Sequence, residues 1–134
     1  MAIPEGALVL RPGEGRHYEN LGPMRATFLA DGEETDDRYA VSLWWVDPQS
    51  PGPGAHKHEE NEELFYVTEG TLTFLVGDEW VEAPQGTFLR VPCGVMHDFE
   101  NRTDERAGLL NVFVPGGFEP MMPKIVEWFR AQES

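Results

Sequence analysis

Three histidines and one glutamate carry the chemistry open to this chain. His56 and His58 lie two apart in the stretch His56-Lys57-His58-Glu59-Glu60-Asn61-Glu62-Glu63, and His97 follows far downstream. In an extended strand, residues i and i+2 face the same side, ~6.6 Å apart. His56 and His58 can therefore aim both imidazoles at one point while Lys57 faces away. Glu63 opens a run rich in strand formers, Glu63-Leu64-Phe65-Tyr66-Val67-Thr68, and can bring a carboxylate to the same point from the next strand. His97 would close the site from a neighbouring one. Three imidazoles and a carboxylate form a mixed nitrogen and oxygen donor set. It suits one divalent transition metal (iron, manganese, nickel, cobalt, copper or zinc), with weak choice among them. Taken singly, a histidine is ordinarily a surface or satisfied core residue, and an acidic run such as residues 59–63 is ordinarily a solvated face. The chain has only four histidines, however, and three fall in this arrangement. His17, left over, reads as surface.

The spacing itself is informative. His56, one residue, His58, four residues, Glu63, six residues and Gly70 form one series; Gly86, Pro92, Gly94, His97 and Asn101 form another. Together they resemble the two cupin motifs, G-x5-H-x-H-x(3,4)-E-x6-G and G-x5-P-x-G-x2-H-x3-N. One departure stands out: the first motif's leading glycine falls on Ser50, and glycines appear instead at 52 and 54. The resemblance spans about residues 50–101. It implies an all-β fold, the cupin double-stranded β-helix or jelly-roll barrel, with a metal on His56, His58, Glu63 and His97. It leaves the reaction open, because cupins host dioxygenases, isomerases, epimerases, lyases, decarboxylases and binders without turnover. The tail Pro115-Gly116-Gly117-Phe118-Glu119-Pro120 is similar to the segment after the barrel in small quercetinase-like cupins. In those proteins the glutamate ligand is held to detach and act as a base, which makes Glu63 the expected catalytic acid/base. The resemblance also implies a homodimer.

The totals bound the alternatives. A chain of 134 residues reads as a single domain, 1–134, long enough to bury a real core. Its net charge of −14 excludes nucleic acid, which needs clustered Lys and Arg, and disfavours anionic membrane surfaces. No apolar run approaches the ~18 residues of a membrane span. One cysteine rules out an intrachain disulfide and fits a reducing cytoplasm; the N-terminus lacks the basic start and apolar centre of a signal peptide. A cytoplasmic location is the expectation.

Fourteen glycines and eleven prolines punctuate short runs of Val, Phe, Leu, Trp and Thr, as in an all-β sandwich or barrel. Strands are expected at 7–10, 25–30, 38–46, 87–91 and 108–114, with a hairpin of 63–69 and 71–76 turning at Glu69-Gly70. The acidic stretch 31–37 reads as a solvated turn. In strand 38–46, Tyr39, Val41, Leu43 and Trp45 share one face and Ala40, Ser42, Trp44 and Val46 the other. Both faces are largely apolar, as expected of a core strand or of one set between a pocket and an oligomer contact. Three prolines make 47–54 a loop that delivers the chain to His56. Cys93 reads as a small buried filler. Residues 123–132 read as a short helix, with Pro123 in its first turn and an apolar stripe of Ile125, Val126, Trp128 and Phe129, packing outside the barrel or capping its mouth.

Three neutral imidazoles and one carboxylate on a divalent ion leave positions open for water, substrate or dioxygen. An apolar rim of Trp45, Phe65, Phe74, Phe88 and Phe99, with Trp44, would suit a small organic substrate, aromatic or otherwise poorly hydrated. The leading expectation is a metal-dependent oxidoreductase of dioxygenase type. The alternatives are a non-redox isomerase, cyclase or lyase, and a small-molecule binder without turnover.

Overall fold

The computed structural model describes residues 3–132. Among the described residues nine strands follow in chain order: β1 Arg16–Leu21, β2 Met24–Ala30, β3 Ala40–Val46, β4 Glu62–Glu69, β5 Thr71–Val76, β6 Glu79–Pro84, β7 Phe88–Val91, β8 His97–Glu100 and β9 Ala107–Val114. One helix, α1 (Met122–Gln132), closes the described chain. The strands form two antiparallel sheets, a larger one ordered β1-β2-β3-β9-β4-β7 and a smaller one ordered β6-β5-β8. This is an all-β jelly-roll sandwich with a C-terminal helix.

Alternation places the core. Along β3 the buried residues are Ala40, Ser42, Trp44 and Val46; along β4 they are Glu63, Phe65 and Val67. Side chains on one face of a strand recur every second residue, so Glu63 is carried inward by the same periodicity that buries Phe65. In β5 and β8, Leu72, Phe74 and Phe99 supply the opposing wall. Phe65 meets Phe74 at 5.2 Å between ring centroids, and Phe74 meets Phe99 at 5.7 Å. The core is therefore aromatic on the side nearest the histidines.

Four expectations need correction. The expected hairpin of β4 and β5 does not pair: β4 lies between β9 and β7, and β5 between β6 and β8. Glu69-Gly70 is instead the corner at which the chain leaves one sheet for the other. Gly70 adopts φ +66°, and a Cβ there would lie 2.6 Å from the Arg106 carbonyl oxygen, so both conformation and space demand glycine. Residues 7–10 form no strand; Leu8 and Val9 are exposed. The edge strand beside β2 is instead β1, whose sequence RHYENL is mostly polar and is held by backbone pairing to β2. The acidic stretch 31–37 is more than a solvated turn. Asp31 is buried and caps a 3-10 turn at Gly32–Glu34. Its carboxylate accepts hydrogen bonds from the Gly117 and Glu119 backbone N–H groups, each at 2.7 Å, anchoring the chain just before α1. Finally, Cys93 is exposed, in the turn between β7 and β8, and is not a core filler.

Candidate metal centre

Two short backbone ladders build the site. His56 and His97 form an antiparallel bridge, with the His56 N–H donating to the His97 carbonyl at 2.9 Å and the reverse bond at 2.8 Å. The bridge fixes the two imidazoles side by side, 4.4 Å between centroids. The Gly94 N–H donates to the His58 carbonyl at 2.8 Å, tying the second histidine to the turn before His97. Glu63 reaches the same point from β4, between Val91 of β7 and Phe113 of β9.

The hydrogen bonds also fix which ring nitrogen is free. Carbonyl oxygens only accept, so the His56 Nδ1–H donates to Gly54 at 2.6 Å and the His97 Nδ1–H to Val95 at 2.9 Å. Each Nε2 then carries its lone pair inward, the usual second contact that orients a metal-ligating histidine. His58 Nε2, His97 Nε2 and Glu63 Oε2 are all buried without a hydrogen-bond partner. Glu63 Oε2 and His97 Nε2 lie only 2.5 Å apart, yet not in hydrogen-bonding alignment. Orphaned buried polar atoms each cost about 1–3 kcal/mol, so three at one point need a common partner. One donor atom from each of His56, His58, Glu63 and His97 falls within 4.8 Å of the others, close to twice a metal–ligand bond of ~2.1–2.3 Å. The donor set fits one divalent ion.

Electrostatics follow the geometry. Burial pushes the His58 imidazole down from its ordinary pKa. Burial also acts against charge on His97, but the Glu63 carboxylate, the Val95 carbonyl and Asp98 together outweigh it and hold His97 up. Burial raises the Asp98 carboxyl; it accepts from the Gly54 and Phe99 N–H groups at 3.1 and 2.8 Å. Asp98 thereby pins the loop whose Gly54 carbonyl orients His56.

A chamber of about 40 Å³ opens onto this cluster, lined by Trp44, Pro53, His56, Glu63, Phe65, His97, Phe99, Asn111 and Phe118. Of the expected rim, Phe65 and Phe99 line it. Phe74 stands behind them, fully buried. Trp45 and Phe88 do not belong: Trp45 faces outward, its indole N–H donating to Glu69 at 3.0 Å, and Phe88 is 60% exposed. Strand parity explains both, since Trp44 takes the inward position on β3 and Phe88 lies opposite Tyr66 on the outer face. Asn111, Pro53 and Phe118 went unforeseen, as did Phe113, whose ring meets His58 edge-on at 5.0 Å. The signal for Phe118 lay in the Gly116-Gly117-Phe118 step after the last strand. His17 lies outside the cluster, bonded to Thr27 and Gly13.

The family model described as Cupin domain matches residues 42–113, more than half of the chain and every donor in the cluster. The chain is a cupin. Quercetin 2,3-dioxygenase of Bacillus subtilis is 32% identical to it over 126 residues, covering 88% of this cupin but 35% of the relative; the chain spans about a third of that protein's length. Among solved structures, KdgF from Halomonas sp. superposes with a TM-score of 0.74 at 15% identity, covering 85% of this cupin and 98% of that chain. A predicted oxalate decarboxylase from Thermotoga maritima gives 0.72 at 21% identity, covering 81% and 99%. At such identities these structures speak for the fold alone.

Proposed function

We propose that this cupin is a metal-dependent oxidoreductase of dioxygenase type that acts on a small organic molecule at the barrel mouth. The observation that carries the reading is the convergence of three imidazoles and the Glu63 carboxylate on one buried point beside an apolar chamber. The resemblance to quercetin 2,3-dioxygenase supports the oxygenase branch. His56, His58, Glu63 and His97 would hold the ion. When bound, it would supply Lewis acidity and a place for substrate and dioxygen to meet. The chain's own residues do the rest. Gly54 and Val95 orient two imidazoles. Phe65, Phe99 and Trp44 exclude water from the chamber. Glu63, nearly fully buried, would take a proton from a bound hydroxyl group as a general base.

Elemental analysis, followed by oxygen uptake with phenolic and diketone substrates, tests the reading. Near-stoichiometric metal, lost in His58→Ala, with substrate-dependent oxygen uptake is the expected result. Stoichiometric metal without oxygen uptake would move the assignment to a non-redox isomerase, cyclase or lyase. A tightly held small molecule without turnover would move it to a binder.

The same proposal includes a homodimer. Val41 and Leu43 on the outer face of β3 border a broad groove with Leu8 and Leu10, and Ile3, Leu8 and Val9 are more than half exposed. A second copy would cover them. Light scattering at micromolar concentration should give twice the chain mass, and a monodisperse monomer refutes the dimer.

A further inference from the structure

A second chamber of about 260 Å³ lies above the first, between the barrel mouth and α1. Trp44, Pro53, His56 and Phe118 border both, so the two chambers adjoin. The outer wall is formed by Met121, Ile125, Trp128 and Phe129. Among the described residues lining it, His56 and His58 are the only titratable ones, and no Lys, Arg, Asp or Glu is present. Both histidines belong to the metal cluster.

The wall is a built feature. Glu119 is held by Arg16 at 2.8 Å and by the Tyr18 hydroxyl at 2.7 Å. Asp31 holds Gly117 and Glu119. At the other end of the wall, a Cβ on Gly22 would lie 2.9 Å from the Phe129 ring, so that ring seats directly on the β1–β2 turn. These ties fix α1 over the mouth at a set height.

We propose that this outer chamber holds the body of the substrate, and that this body is a compact, uncharged aromatic whose only polar anchor is the metal cluster. The inference rests on the reading of that cluster as the reaction centre and adds the substrate class. Three observations carry it. The inner chamber, at about 40 Å³, has room for only about three waters, since one water needs about 10–15 Å³ of such space; the organic body must sit outside it. The outer chamber falls just below the ~300 Å³ at which drug-sized pockets begin, which limits the occupant to about two fused rings. Against the wall away from the cluster, which carries no Lys or Arg, an unpaired carboxylate or phosphate would lose its hydration without a cation to receive it. Trp128 and Phe118 offer ring faces for stacking. The specificity elements are therefore on α1 and the segment before it.

The test uses the full chain, with and without zinc, and two probes with the same rings: 2-naphthol, uncharged at pH 7, and 2-naphthoate. Binding is read by calorimetry. In the metal-free protein naphthol is expected to bind about tenfold or more tighter than naphthoate. Trp128→Ala should weaken naphthol severalfold; Trp128 is 58% exposed, so the fold should tolerate the change. Ile125→Lys, which sets a cation in the wall, should invert the preference. Equal or tighter naphthoate binding to the unaltered metal-free protein overturns the proposal, as does naphthol binding that neither substitution changes. Failure of the metal reading looks different: naphthol would bind as described while elemental analysis found no ion.

Discussion

Removing Glu63 and His97 together should harm the metal-free protein less than removing either alone. The two side chains are 5% and 4% exposed, with Oε2 and Nε2 2.5 Å apart. Glu63→Leu leaves the buried His97 Nε2 without its partner and removes the carboxylate that does most to offset the burial of that imidazole. His97→Leu leaves a buried carboxylate. Breaking one side of such a pair costs about 3–5 kcal/mol, a large fraction of the ~5–15 kcal/mol that holds a domain together. Replacing both with apolar groups of similar volume removes the charge and the orphaned atoms at once, and is neutral or stabilising by up to about 1–4 kcal/mol. The assay is a urea titration at pH 7 in chelator, following tryptophan fluorescence, with stability read from midpoints at constant slope. The coupling between the two substitutions should be at least ~3 kcal/mol. A metal control completes the experiment. An ion at a hundredfold excess over its Kd adds about 2.7 kcal/mol to the unaltered protein and should add nothing to the double variant. Single variants whose losses simply sum to that of the double would refute the reasoning, because independent sites show no coupling. So would a double variant that metal stabilises as much as the unaltered protein.

Gly52→Ala should unfold the protein or cost more than ~3 kcal/mol in the same titration, since the added Cβ would lie 1.9 Å from the Phe99 carbonyl oxygen and overpacking against backbone has no cheap relief. Asp98→Ala should lower metal affinity about 10- to 100-fold, the usual effect of losing a group that orients a ligand, by freeing the Gly54 loop behind His56; competition with a chromogenic chelator measures it, and unchanged affinity would refute the positioning role. Of the three tyrosines, Tyr18 should ionise late, its phenol pushed up to about 12 by burial and by the Glu119 carboxylate that accepts its hydrogen bond. The folded pKa lies above the unfolded value of ~10, so this contribution to stability is complete below pH ~10 and is lost as pH rises toward 12. Phenolate absorbance should show a late step that Tyr18→Phe abolishes.

The metal cluster was legible in the sequence because strand periodicity and motif spacing are local properties. His56 and His58 share a face by parity, Glu63 heads a strand whose alternate residues are plainly apolar, and the Pro92-Cys93-Gly94 turn announces His97. The residues around the cluster were harder to place because their positions depend on pairing across the sheets. Trp44 and Trp45 are adjacent and chemically alike; only the register of β3 against β9, with Trp44 opposite Leu109 and Trp45 opposite Gly108, decides which faces inward. Leu109 is buried and Gly108 leaves room for the outward indole, whose ring a Cβ at that glycine would meet at 2.9 Å. The hairpin expected at Gly70 failed for a related reason: a glycine with positive φ marks a turn, but whether the flanking strands pair with each other or part into two sheets is settled by distant partners. The first motif's missing glycine has a comparable answer. Ser50 bridges to Asn101, where a side chain is tolerated, and the close approach that excludes one falls at Gly52. Polar β1 escaped notice because an edge strand needs only its backbone to pair. Asp31 escaped because a capping carboxylate and a solvated one look identical in sequence. Both bear on the candidate site through the same route: Asp31, with Arg16 and Tyr18 of β1, holds the segment at Gly117–Glu119. That segment sets where Phe118 and α1 stand over the metal centre. The part of the site that would select the substrate under this proposal is thus positioned by residues far in sequence from the part that would bind the ion, and this is why motif spacing names the centre and leaves its selectivity unread.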